Sequence, residues 1–164
     1  MIEHERTFLA KRLPQGLLNC KSKEILDIYL PHNHPHPKLR IRKNGEKYEI
    51  TKKVLLDPKD KSTAREDTTP LTPEEFAELE RLVPGKRVHK IRYYYPYQGR
   101  ILEVDVFQDA LKGLVLVDIE FSEEEKHLKN KINLPEFCLV DMERQEFLAG
   151  GMLCARATRT LSKI

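Results

Sequence analysis

Residues 100–121 read RILEVDVFQDALKGLVLVDIEF, and this stretch decides the fold. Leu102, Val104 and Val106 interleave with Glu103 and Asp105, and Val117, Ile119 and Phe121 interleave with Asp118 and Glu120. Side chains two apart on a strand share a face, so both runs are strands with one apolar and one acidic face. Ala110 to Gly113 supplies the turn between them. The pattern recurs outward along the chain: Glu3 and Glu5, Arg40 and Arg42, and Lys90 and Arg92 are further same-sign pairs set among Leu39, Ile41, Ile91 and Tyr93. Such strands want water or ligand on one side and a hydrophobic cover on the other.

The 164 residues suffice for one domain with a real core, so 1–164 is read as a single domain. A formal charge of +3 is the small remainder of many acids and bases, and no single-sign run marks a nucleic-acid arm. Local clusters must carry the chemistry. Cys20, Cys138 and Cys154 are odd in number and far apart, which excludes a disulfide framework or a zinc knuckle and suits a reducing compartment. The opening residues, MIEHERTFLAKRLP, lack the apolar run of a signal peptide, and no stretch approaches a membrane span. A cytoplasmic protein without membrane contact is expected.

Strands are expected over Ile2 to Leu9, Ser22 to Leu30, Lys38 to Arg42 and Lys47 to Val54, the last two joined by a hairpin turn at Lys43-Asn44-Gly45-Glu46. Asp57 to Thr69 is polar without a clear period and reads as a loop with at most a short strand at Ala64 to Thr68. Thr72-Pro73-Glu74-Glu75 gives an N-cap, a first-turn proline and early acids, with Phe76, Leu79, Leu82 and Val83 at helical spacing. Further strands follow at Arg87 to Tyr95, Arg100 to Phe107 and Leu114 to Phe121. A second short helix opens at Ser122, and helix and irregular segments follow from Pro135. Seven or eight antiparallel strands with short turns indicate a barrel or strongly curved sheet whose inner face carries the charges.

Ions crowded into one interior must pair or hold a ligand of opposite sign. Each strand's pair has one sign, which segregates the interior into an acidic and a basic patch. Carboxylates without ordered Cys or His suit a hard cation, Mg²⁺ or Mn²⁺. Rows of Arg40, Arg42, Lys53, Lys90 and Arg92 suit phosphoryl oxygens. A metal-bound polyphosphate satisfies both patches.

The residues also resemble a known family. Glu3-His4-Glu5-Arg6-Thr7 resembles the ExExK signature of the CYTH superfamily, the triphosphate tunnel metalloenzymes. Arg40-Ile41-Arg42 with Thr51-Lys52-Lys53 is similar to its RxR and TxK strands, and Lys90-Ile91-Arg92 to its KxR strand. Glu103-Val104-Asp105-Val106-Phe107 and Gly113 to Phe121 resemble its ExDxF and GLxxxExEF strands, with Asp118 in place of Glu, and Phe147-Leu148-Ala149 is weakly similar to its closing segment. The resemblance implies an α+β, mainly β fold: an eight-stranded antiparallel closed barrel forming a tunnel, with flanking helices.

It also implies metal-dependent hydrolysis of a triphosphate, most simply inorganic triphosphate, with Mg²⁺ or Mn²⁺ as cofactor. Glu3, Glu5 and Glu120 would hold a first metal, and Glu103, Asp105 and Asp118 would serve a second metal, its waters or the facing cations. Arg40, Arg42, Lys53, Lys90 and Arg92 would cradle phosphates, and Glu5, Tyr29 and Lys90 form the expected catalytic set. The partner is a triphosphate-containing small molecule, with nucleic acid expected only as a 5′-triphosphate end, and the chain a monomer or homodimer. Thr7 stands where the signature has lysine, while Arg6 points to the other face. Cyclisation of ATP and non-catalytic polyphosphate or nucleotide binding are the alternatives, the latter motivated by Thr7. The acidic pair usual after the long loop is incomplete, reading Glu66-Asp67-Thr68.

Other features read as structure. His32, His34 and His36 lie in a stretch that Pro35 and Pro37 make an exposed, extended loop, where three rings need not converge. Tyr93, Tyr94 and Tyr95 are split between faces by strand alternation, which disfavours a stacking platform for single-stranded nucleic acid.

Overall fold

The computed structural model describes residues 2–34, 37–57, 60–83 and 86–142, without the side chains of residues 2, 3 and 60–63. Its strands are β1 (Ile2–Ala10), β2 (Ser22–Leu30), β3 (Leu39–Asn44), β4 (Lys47–Asp57), β5 (Asp60–Leu71), β6 (Lys86–Tyr97), β7 (Arg100–Phe107), β8 (Val115–Phe121) and β9 (Cys138–Asp141). One α-helix, α1 (Pro73–Leu82), and three short 3-10 turns complete the described part. No described helix is long and apolar enough to cross a membrane.

All pairings are antiparallel, in the order β5-β4-β3-β2-β6-β7-β8-β1-β9. One edge of β1 runs along β8; the other is shared, residues 2–4 meeting β5 and residues 8–10 meeting β9. The expected closed eight-stranded barrel is therefore corrected to a nine-stranded antiparallel sheet curved into a tunnel, with β9 as the additional strand.

The cover expected on the outer face has two parts. Ile28, Ile41 and Phe76 form one buried cluster with Tyr48, Ile50, Leu71, Leu79 and Val83 packed on it, so the apolar stripe of α1 lies against β2, β3 and β4. On the other side Phe8, Leu102, Val104, Val117, Ile119 and Phe121 meet Phe137 and Cys138 from the last described segment. Tyr95 and Tyr97 pack edge-on to Phe137, while Tyr94 lies on the opposite face of β6. Cys138 is buried among these groups, and burial pushes its thiol up to about 12; Cys154 lies outside the described residues.

Two stretches depart from the sequence reading. Within the polar run expected as a loop, residues 60–69 lie in β5, which pairs with β4 from Tyr48↔Leu71 to Leu55↔Ala64. Its outward Arg65 and Asp67 are exposed and its alternate positions are Ala64, Glu66 and Thr68, so neither face carries the apolar alternation that announces a strand. After Phe121, Ser122 and Glu125 cap each other in a turn leading to the 3-10 segment Lys126–Lys131, and Cys138–Asp141 pairs with β1 where helix and irregular segments were expected. Four residues are too few for a periodicity to show.

Helix α1 begins as the sequence predicts. Thr72 Oγ1 accepts from the Glu75 N–H at 3.2 Å, and the Glu75 carboxylate accepts from the Thr72 N–H at 2.7 Å. Thr72→Ala removes half of this box and is expected to lower stability by about 1 kcal/mol, measured as a shift in the urea midpoint at unchanged slope.

Candidate functional site

Strand alternation turns Glu5 and Thr7, Asp27 and Tyr29, Arg40 and Arg42, Thr51 and Lys53, Glu66, Lys90 and Arg92, Glu103 and Asp105, and Asp118 toward the interior. The centre of this array is Asp105, which is 1% exposed. It accepts a hydrogen bond from Lys90 and two from Arg92, at 2.7 and 2.8 Å. Arg92 also bonds Glu103 and approaches Asp118 at 3.4 Å. Burial alone would raise the Asp105 carboxyl; Lys90 and Arg92 outweigh it and hold the group below its ordinary range.

A second group lies across the tunnel. Lys53 donates to Glu5 at 3.0 Å and stands 3.7 Å from Glu66, which Arg40 approaches at 3.4 Å. Burial opposes ionisation of Glu5, but Lys53, then Arg92 and Arg40, pull its pKa down. The Nε of Arg40 is buried with no hydrogen-bond partner among the described residues. Thr51 and Thr68 pair through their hydroxyls at 3.0 Å.

In the third group the sequence reading named Arg42 and Tyr29 but missed Asp27. Asp27, 1% exposed, takes both arms of Arg42, at 2.6 and 2.8 Å. Its burial would favour the neutral acid, and the Arg42 guanidinium reverses that strongly. Tyr29 places its hydroxyl 3.5 Å from Asp27, and burial, reinforced by that carboxylate, pushes the phenol up to about 12. The available signal was the shared face of Ile25, Asp27 and Tyr29 on an otherwise apolar strand. Glu66 gave a weaker one, its strand being hidden in a polar run.

The expected site residues thus fall into distinct states. Arg42 is occupied by Asp27, and Asp105 is enclosed by two cations. Glu120 is exposed at the end of β8, opposite Glu5 in register. Glu3 pairs through its backbone with Ala64, and its side chain lies outside the described residues, as do Pro35, His36 and Phe147-Leu148-Ala149. Thr7 faces Asp118 across the β1–β8 ladder and donates to it at 2.7 Å. Arg6 points outward, as alternation requires, and its Nη1 donates to the carbonyls of Lys129 at 2.8 Å and Ile132 at 2.9 Å.

The carboxylates do crowd one another. Burial, Glu5 and Asp105 push Asp118 up to about 7, and burial, Glu120 and Asp105 raise Glu103 against the opposing pull of Arg92. Among the described residues no three Asp, Glu, His or Cys side chains converge as a ready-made metal site. The donor chemistry, hard oxygens carrying mutually repelling charge, nevertheless fits a hard divalent cation.

No protein-family model matches the chain. The inorganic triphosphatase of Nitrosomonas europaea is 31% identical to it over 126 residues, 76% of this chain and 80% of that protein. The chain belongs to the CYTH superfamily, the triphosphate tunnel metalloenzymes. The crystal structure of the inorganic triphosphatase NE1496 shares the fold at TM-score 0.66 and 24% identity over 93% of each chain. The PH1012 protein from Pyrococcus horikoshii does so at TM-score 0.54 and 25% identity, over 79% of this chain and 84% of that one. In CYTH terms Thr7 occupies the signature lysine's position on the inner face, and no cation replaces it from Arg6.

The Asp27–Arg42 pair gives a stability test. The Asp27 carboxyl is lowered in the fold, so its contribution is complete above its unfolded value of 3.8 and is lost as pH falls toward the native pKa. Asp27→Asn leaves a buried guanidinium without its counter-charge and is expected to cost about 3–5 kcal/mol at neutral pH. Urea unfolding of both proteins from neutral to strongly acid pH should show the difference shrinking below the unfolded value, because only the parent then loses this contribution.

Proposed function

We propose that this protein hydrolyses the terminal phosphoanhydride of a triphosphate, most simply inorganic triphosphate. The observation that carries the reading is one tunnel lined by both signs of charge: Arg40 and Lys53 meet Glu66 and Glu5 on one side, and Lys90 and Arg92 hold Asp105 and Glu103 of the adjacent strand on the other. The similarity to a protein named inorganic triphosphatase supports it.

Arg40 and Lys53 are held by Glu66 and Glu5 at 3.0–3.7 Å, in pairings that phosphoryl oxygens can replace. Arg40 adds to that exchange an Nε with no hydrogen-bond partner among the described residues, a donor that a phosphoryl oxygen can take. Arg92, fixed by Asp105 and Glu103, would offset charge growing on the leaving diphosphate. Water attacks the terminal phosphorus, the bridging P–O bond breaks, and a carboxylate of the acidic side takes the water's proton. Glu5, Glu103, Asp118 and Glu120, with Glu3, would hold Mg²⁺ or Mn²⁺, which when bound supplies positive charge to the phosphoryl oxygens. Lys90 serves chiefly to keep Asp105 ionised and in place, and Tyr29 forms the floor beside Asp27.

Phosphate release from inorganic triphosphate, measured with Mg²⁺ and with Mn²⁺, tests the reading; no release with either metal defeats it. Arg40→Ala should lower kcat/KM by roughly two orders of magnitude, with Arg40→Lys recovering part. Unchanged kinetics would remove Arg40 from substrate binding.

One observation favours a second reading, a polyphosphate-binding protein without turnover: Thr7 spends its hydroxyl on Asp118 where the family signature places an ammonium. Thr7→Lys puts a cation between Asp118 and Glu5. A rise in turnover of about tenfold or more identifies an impaired hydrolase, whereas triphosphate binding with no phosphate release in either protein identifies the binder.

A further inference from the structure

The tunnel interior is graded along its length. On the inner face of β6, Val88 is followed by Lys90, Arg92 and Tyr94; on β7, Phe107 by Asp105 and Glu103; on β8, Leu116 by Asp118 and Glu120; on β2, Tyr29 by Asp27. The antiparallel register makes the four gradients run the same way, since Asp27 faces Val88, Arg92 faces Asp105 and Glu103 faces Asp118. On these four strands one end is therefore apolar from Val88, Phe107, Leu116 and Tyr29, and the charge begins one step inside it, while Arg40 and Lys86 stand opposite Tyr29 in register.

Tyr29, Val88, Phe107 and Leu116 form a single buried cluster there, with Leu111 and Leu114 packed on it. Those two leucines belong to the β7–β8 connection, which is tied over this end. The Gln108 N–H donates to the His89 carbonyl at 2.9 Å, the Phe107 N–H to the Leu114 carbonyl at 3.1 Å, and the Asp109 carboxylate lies 2.9 Å from His89 Nδ1. Tyr29 marks the border, with its ring in the cluster and its hydroxyl toward Asp27. Lys90 Nζ marks it too, 5.6 Å from the centre of the Phe107 ring.

We propose that this cluster is a stop, so that a linear polyphosphate enters by a free end, advances to the level of Lys90 and Tyr29, and cannot thread through. A phosphoryl group that passed Lys90 would leave Lys90, Arg92 and its water for Phe107 and Leu116, whose side chains offer no donor. Specificity for a chain end then follows from the grading of the interior rather than from a contact with the end itself. The proposal rests on the triphosphate reading above and adds which part of a longer anion can bind.

Calorimetric titration of linear polyphosphates of graded length into the protein in the presence of Mg²⁺ tests it without requiring turnover. With a stop, each chain saturates at no more than two protein molecules, one per end, at every length long enough to separate them. Protein bound per chain that keeps rising with length would show that internal segments are held and would overturn the proposal, as would absence of binding at all lengths. Failure of the hydrolytic reading is seen separately, as absent phosphate release from inorganic triphosphate, and leaves the stoichiometry readable.

Discussion

Asp105 is the constraint on which the interior depends. A carboxylate with almost no solvent contact stays ionised only because Lys90 and Arg92 meet it from the adjacent strand, and in doing so it fixes both cations. The same unit positions Glu103 and brings Arg92 within reach of Asp118. Asp27 with Arg42 repeats the device on β2 and β3. Between these two rigid pairs, Arg40, Lys53, Glu5 and Glu66 are held at looser distances and partly face solvent. The interior is thus divided into ions fixed in close pairs and ions that can change partner, and the second kind can give up its pairing to a ligand.

That division explains what the sequence disclosed. Same-sign pairs two apart located β1, β3, β6, β7 and β8 and put their charges on one face, because an apolar outer cover makes the alternation visible. Neither β5 nor β9 has that cover in its own sequence: β5 alternates polar with polar, and β9 is too short. Asp27 escaped notice for a related reason, as a single acid among Ile25, Ile28 and Tyr29 looks like an interruption of the core until Arg42 is seen to enclose it. Rows of like charge could be read from spacing, but which cation neutralises which acid depends on register between strands distant in the chain. Hence the pairing of Arg42 with Asp27 and of Lys90 with Asp105 became visible only in the structure.

Thr7 shows how one position joins fold and chemistry. Its register opposite Asp118 is set by the β1–β8 ladder, so the inner location of the family's signature position is retained although the ammonium is not. A hydroxyl satisfies one oxygen of Asp118 without adding charge, and the crowded acidic side keeps its excess negative potential.

The outward face of the same strand has its own occupant. Arg6 spans the backbone carbonyls of Lys129 and Ile132, contacts Asp141, and lies over the Phe8 ring at 5.0 Å, so the segment after β8 is buttoned to the back of β1. Consecutive residues of one strand therefore serve opposite clients, Glu5 and Thr7 the cavity, Arg6 and Phe8 the tail. A minimal catalytic unit cannot be cut at Phe121: shortening the chain there would strip a guanidinium of its acceptors and bare an aromatic patch directly behind the acids it was meant to preserve.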